Sequence, residues 1–139
     1  PDETQSEQLL EALDWATREN ARAGSPYEGH LDLGQVAVGG HSCGGLQAIA
    51  VSHDRRIRTT LVLNSGVYVR ESGGPSGVRV GKEDLATLHG PMLYLTGGPS
   101  DIAYPNASDD VARIGHLPVF MASLPVGHGG TCAMAPVWR

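Results

Sequence analysis

Residues 36 to 45 read VAVGGHSCGG, an apolar run that breaks into glycines around one histidine, one serine and one cysteine. Glycine-rich turns leading from a strand into a helix serve several chemistries, and spacing separates them. A dinucleotide fingerprint, G-x-G-x-x-G, counted from Gly39 meets His41 where its second glycine belongs. A phosphate-binding loop needs Lys and then Ser or Thr after its last glycine, whereas Gly45 is followed by Leu46 and Gln47. The pattern that fits is G-x-S-x-G, with Gly40, Ser42 and Gly44 in register between the apolar QVAV and the helix-like LQAIAVSH. A turn with a purely structural role is the alternative.

A serine at a sharp strand-to-helix turn sits in a sparsely populated backbone conformation costing on the order of 1 to 3 kcal/mol, which lifts its hydroxyl clear of the sheet edge. Its neighbours two residues to either side must carry almost no side chain, or strand and helix collide. Gly40 and Gly44 are expected to meet that need. The N–H of Cys43, at the head of the following helix, then faces the place where negative charge develops on an attacked carbonyl oxygen, helped by the helix dipole. A lone serine is a weak nucleophile and requires a base and an orienting acid. PMLYLTGGPSDIAYP is an apolar strand entering a turn of small residues with Asp101 just beyond it, and LPVFMASLPVGHGGT repeats the arrangement with His128. Ser42, Asp101 and His128 thus stand in nucleophile, acid, base order at the carboxyl ends of strands, where open α/β sheets place their sites.

Other candidates receive plainer readings. His41 adjoins Ser42, but adjacent side chains at a sharp turn point apart, so it is read as packing beneath the turn. Asp109 and Asp110 are placed at the start of a helix, where they favour its dipole. Ser65 ends TTLVLNSG without glycines on both sides and is read as a wall of the site. His89 and His116 precede strands and fall at the opposite edge of the sheet. The Cys43 side chain is read as buried packing. Cys43 and Cys132 make neither a disulfide framework nor the paired spacing of a zinc site, and are read as free thiols. No metal and no organic cofactor is called for. NAS at 106–108 fits a glycosylation acceptor, which matters only in a secreted protein.

These residues need elements to position them. From Thr4 to about Ala23, Leu9, Leu10, Leu13 and Ala16 recur at helical spacing, with Thr4 and Glu7 as a capping box. Residues 34–40, 59–64, 91–96 and 117–124 are four short apolar runs of the kind expected in strands buried on both faces. Between them lie a helix from Ser42 to about His53, a Gly/Pro-rich loop with a short polar segment over 66–90, and a helix from about Asn106 to Gly115. This alternation predicts right-handed crossovers and a parallel sheet. ESGGPSGVRVG reads as a mobile surface loop or the remnant of an insertion, too short to join two domains.

A chain of 139 residues with 40% hydrophobic residues can bury one ordinary core. Its net charge of -5, with the basic residues scattered apart from Arg55, Arg56 and Arg58, leaves no footprint for nucleic acid. No apolar stretch approaches the roughly 20 residues of a membrane span. The chain begins with Pro1, so its compartment cannot be read from this end, and both secreted and cytoplasmic placements stay open.

GGHSCGG resembles the nucleophile elbow of α/β-hydrolases, commonly with histidine before the serine, and SDIAYP is similar to the acid-bearing turn of cutinase-like polyester hydrolases. The likeness covers almost the whole chain from the first helix onward. It is to the C-terminal half of the esterase and lipase branch, which includes cutinase-like and dienelactone-hydrolase-like enzymes. It implies an α/β fold with a mostly parallel sheet of about four strands and flanking helices. It also implies Ser42 as nucleophile, Asp101 as acid, His128 as base and the Cys43 N–H as one oxyanion donor. In the family, four strands usually precede the elbow, the second oxyanion donor follows the third, and a helix closes the domain. Residues 1–139 are therefore expected to form a single domain that lacks the N-terminal strands and the closing helix. Such a chain would expose the edge of its first strand to self-association and, alone, turn over little substrate. The implied reaction is hydrolysis of a small-molecule or polymeric carboxylic ester through an acyl-enzyme. The alternatives are a non-catalytic fragment or binding module of the same ancestry, or a thioesterase, peptidase or acyltransferase using the same three residues.

Overall fold

Four β-branched and leucine-rich runs separated by helices form one parallel sheet. A computed structural model describes residues 5–69 and 78–131. The elements are α1 (Glu7–Ala21), β1 (Val36–His41), α2 (Cys43–Val51), β2 (Ile57–Leu63), a 3-10 turn (Lys82–Thr87), β3 (Met92–Thr96), α3 (Tyr104–Arg113) and β4 (Val119–Ser123). The strands run parallel in the order β1-β2-β3-β4, with Gly40 beside Val62, Val62 beside Tyr94 and Tyr94 beside Met121. Right-handed crossovers between strands in unbroken order place the connecting helices on one face. Packing agrees: Leu46 and Ile49 of α2, Leu85 of the 3-10 turn and Ala107 of α3 share one core with Val62 and Tyr94 of the sheet. A smaller core joins Val38, Ala48, Val51 and Ile57 to Leu9 and Leu10 of α1.

The element ends differ from the sequence expectation for identifiable reasons. Thr4 of the expected capping box lies outside the described residues; α1 starts at Glu7, and the Gln8 side chain accepts the Gln5 N–H at 3.0 Å. Pro105 sits in the first turn of α3, which its fixed φ favours, so the helix begins at Tyr104 and Asp109 and Asp110 fall toward its end rather than its start. Of ESGGPSGVRVG, residues 71–77 are outside the described part, while Val78 and Val80 pack against the main core instead of forming free loop.

The expectation of strands buried on both faces fails on one of them. Thr60 and Val62 of β2 and Met92, Tyr94 and Thr96 of β3 are buried under the helices. On the opposite face, Leu61, Leu93 and Phe120 line up in register, followed by Leu63, Leu95 and Ala122. There the leucines are half-buried and Phe120 is 67% exposed. β1 and β4 are the sheet edges, and Leu9 and Leu13 of α1 with Val36 and Val38 of β1 border an apolar cavity of about 340 Å³. Among the described residues, no helix is long and apolar enough to cross a membrane.

Candidate active site

The turn after β1 is as sharp as its glycines suggest. Ser42 has φ 54° and ψ -121°, a conformation that side-chain-bearing residues rarely hold. Its N–H extends the sheet ladder to Leu63 O at 3.0 Å, while its carbonyl accepts the Gly45 N–H at 3.0 Å and opens α2. A Cβ on Gly40 would collide with the backbone of Gly44, so Gly40 carries the constraint expected of it. Gly44 does not: a Cβ there meets nothing within 4 Å. The constraint falls on Gly45, whose Cβ would come within 2.7 Å of Ser65 Oγ. Because α2 begins directly at Cys43, it is Gly45 that the helix turns toward the end of β2.

Asp101 and His128 meet Ser42 from the ends of β3 and β4. His128 Nδ1 lies 2.7 Å from Asp101 Oδ1, and His128 Nε2 lies 3.1 Å from Ser42 Oγ. The three residues expected from the sequence are thus joined in one hydrogen-bonded line. Gly97 makes this possible: its carbonyl accepts the N–H groups of Val126 and Gly127, clasping the loop after β4 to the loop after β3. A Cβ on Gly97 would strike Gly127 O.

Asp101 is only 2% exposed. Burial works to raise its pKa, but the N–H groups of Ala103 and Gly97, the His128 ring and the Asn64 amide together outweigh it and hold the carboxyl below its ordinary range. An ionised carboxylate only accepts. A hydrogen bond to that carboxylate therefore needs its proton on His128 Nδ1, and the tautomer that satisfies it offers Nε2 to the Ser42 hydroxyl.

Several residues do more than the sequence suggested. His41 does not simply pack beneath the turn: its Nε2 donates to His128 O at 2.9 Å, and the two rings lie 5.2 Å apart, so it supports the loop that carries His128. Ser65 is a wall of the site and also a clamp, its hydroxyl donating to Ser42 O at 2.7 Å. Cys43 is exposed rather than buried. Asp110 is fully buried and holds Lys82 Nζ at 2.6 Å, the Val67 N–H at 2.8 Å and the Tyr94 hydroxyl at 3.3 Å. Burial pushes its carboxyl above the ordinary value despite these partners. Asp109 pairs with Lys82 and Arg113. Asn106, the first residue of the glycosylation pattern, accepts the Val69 N–H from within α3. His89 and His116 bond Ile57 O and Leu88 O, away from Ser42. Cys132 lies outside the described residues.

A small open cavity of about 70 Å³ lies against Ser42 and His128, walled by Leu46, Tyr68, Ile102 and Ala103. Among the described residues, no cluster of His, Cys, Asp and Glu could hold a metal ion.

No family model and no curated protein matches the sequence. Solved structures do. An acylaminoacyl peptidase of Pyrococcus horikoshii superposes with a TM-score of 0.69 at 11% identity, over 94% of this chain and 24% of its own. The esterase domain of a Rhodothermus marinus protein gives 0.63 at 18% identity, over 89% of this chain and 59% of its own. A Klebsiella pneumoniae protein assigned as a dienelactone hydrolase gives 0.61 at 15% identity, over 88% and 48%. This chain thus spans between about a quarter and three fifths of the length of these neighbours. Its unbroken parallel sheet, its helices packed on one face and these likenesses over most of its length give the chain the α/β-hydrolase fold.

Proposed function

We propose that this chain carries the reacting residues of a serine hydrolase acting on carboxylic esters. The observation that carries the reading is the hydrogen-bonded line from Ser42 Oγ through the His128 ring to Asp101. In that reading Ser42 Oγ attacks the ester carbonyl as its proton passes to His128 Nε2. The tetrahedral oxyanion is stabilised by the Cys43 N–H at the head of α2, and collapse expels the alcohol, which takes the proton back from Nε2. Water then repeats the sequence on the acyl-enzyme and frees the carboxylate. Asp101 stays ionised throughout and holds the imidazole in its productive tautomer. The same three groups would serve thioesters or amides, because none of them reads the leaving group. We also read residues 1–139 as one part of a larger domain of this fold, the open edge of β1 being the side on which its sheet can be continued.

The test is hydrolysis of nitrophenyl acetate, whose acyl group suits the small cavity beside Ser42. The larger domain and its Ser42→Ala variant are compared, and the variant should lose about 10³- to 10⁶-fold in kcat, down to the chemical background, whereas residues 1–139 alone are expected to turn over little. Hydrolysis that persists unchanged without the Ser42 hydroxyl would contradict the reading.

A further inference from the structure

Between Ser42 and the acid and base loops lies one side chain that the mechanism does not use. Asn64 is the first residue after β2 and is fully buried, with φ at 44°. Its amide donates to Asp101 Oδ2 at 2.7 Å and to Gly127 O at 3.3 Å, and its carbonyl accepts the Thr131 hydroxyl. Its own N–H bonds Leu95 O, at the end of β3, at 2.7 Å. The next residue, Ser65, reaches the other way and holds Ser42 O. Asn64 therefore contacts the loop that carries Asp101 and the loop that carries His128, while its neighbour clamps the turn that carries Ser42.

We infer that Asn64 is a positioning residue, which fixes the rotation of the Asp101 carboxylate so that Oδ1 stays aimed at His128 Nδ1. The inference rests on the reading of Ser42, His128 and Asp101 as one reacting unit. Asp101 Oδ2 has two donors, the Asn64 amide and the Gly97 N–H at 3.0 Å, and Oδ1 has two, His128 and the Ala103 N–H at 2.9 Å. Without the amide, Oδ2 keeps only the Gly97 N–H, and rotation about the carboxyl axis costs one buried charge-assisted contact fewer. The residue type follows from the place. A left-handed backbone excludes most side chains, and asparagine tolerates it better than most. A short neutral amide can donate to one loop and accept from the other at the same time, whereas aspartate would set a second carboxylate against Asp101.

Two variants test this. Asn64→Gly keeps the left-handed backbone and removes the amide, and Asn64→Asp keeps the shape and replaces the donor with an acceptor. The readout that does not depend on turnover is the tautomer of the His128 ring, followed by ¹⁵N NMR and assigned by difference against His128→Asn. In the unmodified chain the Nδ1–H form should dominate. In either folded variant the Nε2–H form should become a substantial fraction, and kcat should fall about 10²-fold with KM within about twofold. A folded variant, of either kind, that keeps the Nδ1–H form and the original kcat overturns the inference, even if its Tm has dropped. If Asn64→Gly fails to fold, the shape-conserving Asn64→Asp decides. Failure of the functional reading looks different: hydrolysis and phosphonate labelling would then be insensitive to Ser42→Ala, while the tautomer measurement still reports on Asn64.

Discussion

On the proposed reading, Asp101 joins chemistry and stability in a single side chain. In the larger domain, Asp101→Asn keeps the shape but offers an amide to the imidazole and favours the wrong tautomer, so kcat should fall by about 10⁴-fold with KM nearly unchanged, as steady-state kinetics would show. The same carboxyl, held below its ordinary range by four donors, binds its proton less readily in the folded than in the unfolded chain. Its contribution to stability is present above the unfolded value of about 3.8 and is lost as pH falls through the lower folded value. Urea midpoints measured downward from pH 5 should therefore fall less steeply in Asp101→Asn than in the unmodified chain. An equal slope would mean that the donors do not hold the charge. The meeting of Ser42, Asp101 and His128 was legible in the sequence because each follows an apolar run within a local turn of small residues. Asn64 and His41 were not, since what they touch depends on which strands lie side by side and in what register.

At the scale of elements, the turn into α2 depends on close backbone approach, and the structure relocates one of its constraints. Gly40→Ala and Gly45→Ala each force a Cβ into occupied space and should destabilise the chain by about 1 to 3 kcal/mol. Gly44→Ala meets open space in the first turn of the helix and should be neutral or stabilising by up to about 1 kcal/mol. Chemical denaturation of the three variants checks both statements, and a Gly44→Ala loss equal to that of Gly40→Ala would contradict the geometry. Counting two residues to either side of the serine gives symmetric glycines. The helix is not symmetric about the serine, and only its second glycine faces β2. α3 shows the same limit: a helix from about Asn106 was expected, but Pro105 set its start at Tyr104, and a residue read as serving the helix dipole is instead the buried anchor of Lys82, Tyr94 and the loop at Val67. Asp110→Ala leaves Lys82 short of a partner and two buried donors unpaired, and should cost about 3 to 5 kcal/mol by the same assay.

For the molecule as a whole, sequence patterning and packing disagree on one face. Strands apolar on both sides were read as strands covered on both sides, yet among the described residues the row from Leu61 through Leu93 to Phe120 stays partly open to water. Continuous apolar patches of this kind favour association, and the edge of β1, unpaired among the described residues, adds hydrogen-bonding groups that seek partners. Sedimentation velocity should show association that grows with concentration and weakens in a Leu93→Glu, Phe120→Lys double variant; a monomer at all concentrations would show that the open face is benign. None of this alters the arrangement at the carboxyl ends of the strands, where β1, β3 and β4 deliver Ser42, Asp101 and His128 to one point and β2 ties them together. The central claim is that Ser42 is made nucleophilic there. Exposure of the folded chain to an organophosphonate ester, followed by mass spectrometry, tests it most directly: one phosphonyl group per chain on Ser42, absent in Ser42→Ala and strongly slowed in His128→Ala, is the expected result, and a folded chain that stays unlabelled at Ser42 contradicts the account.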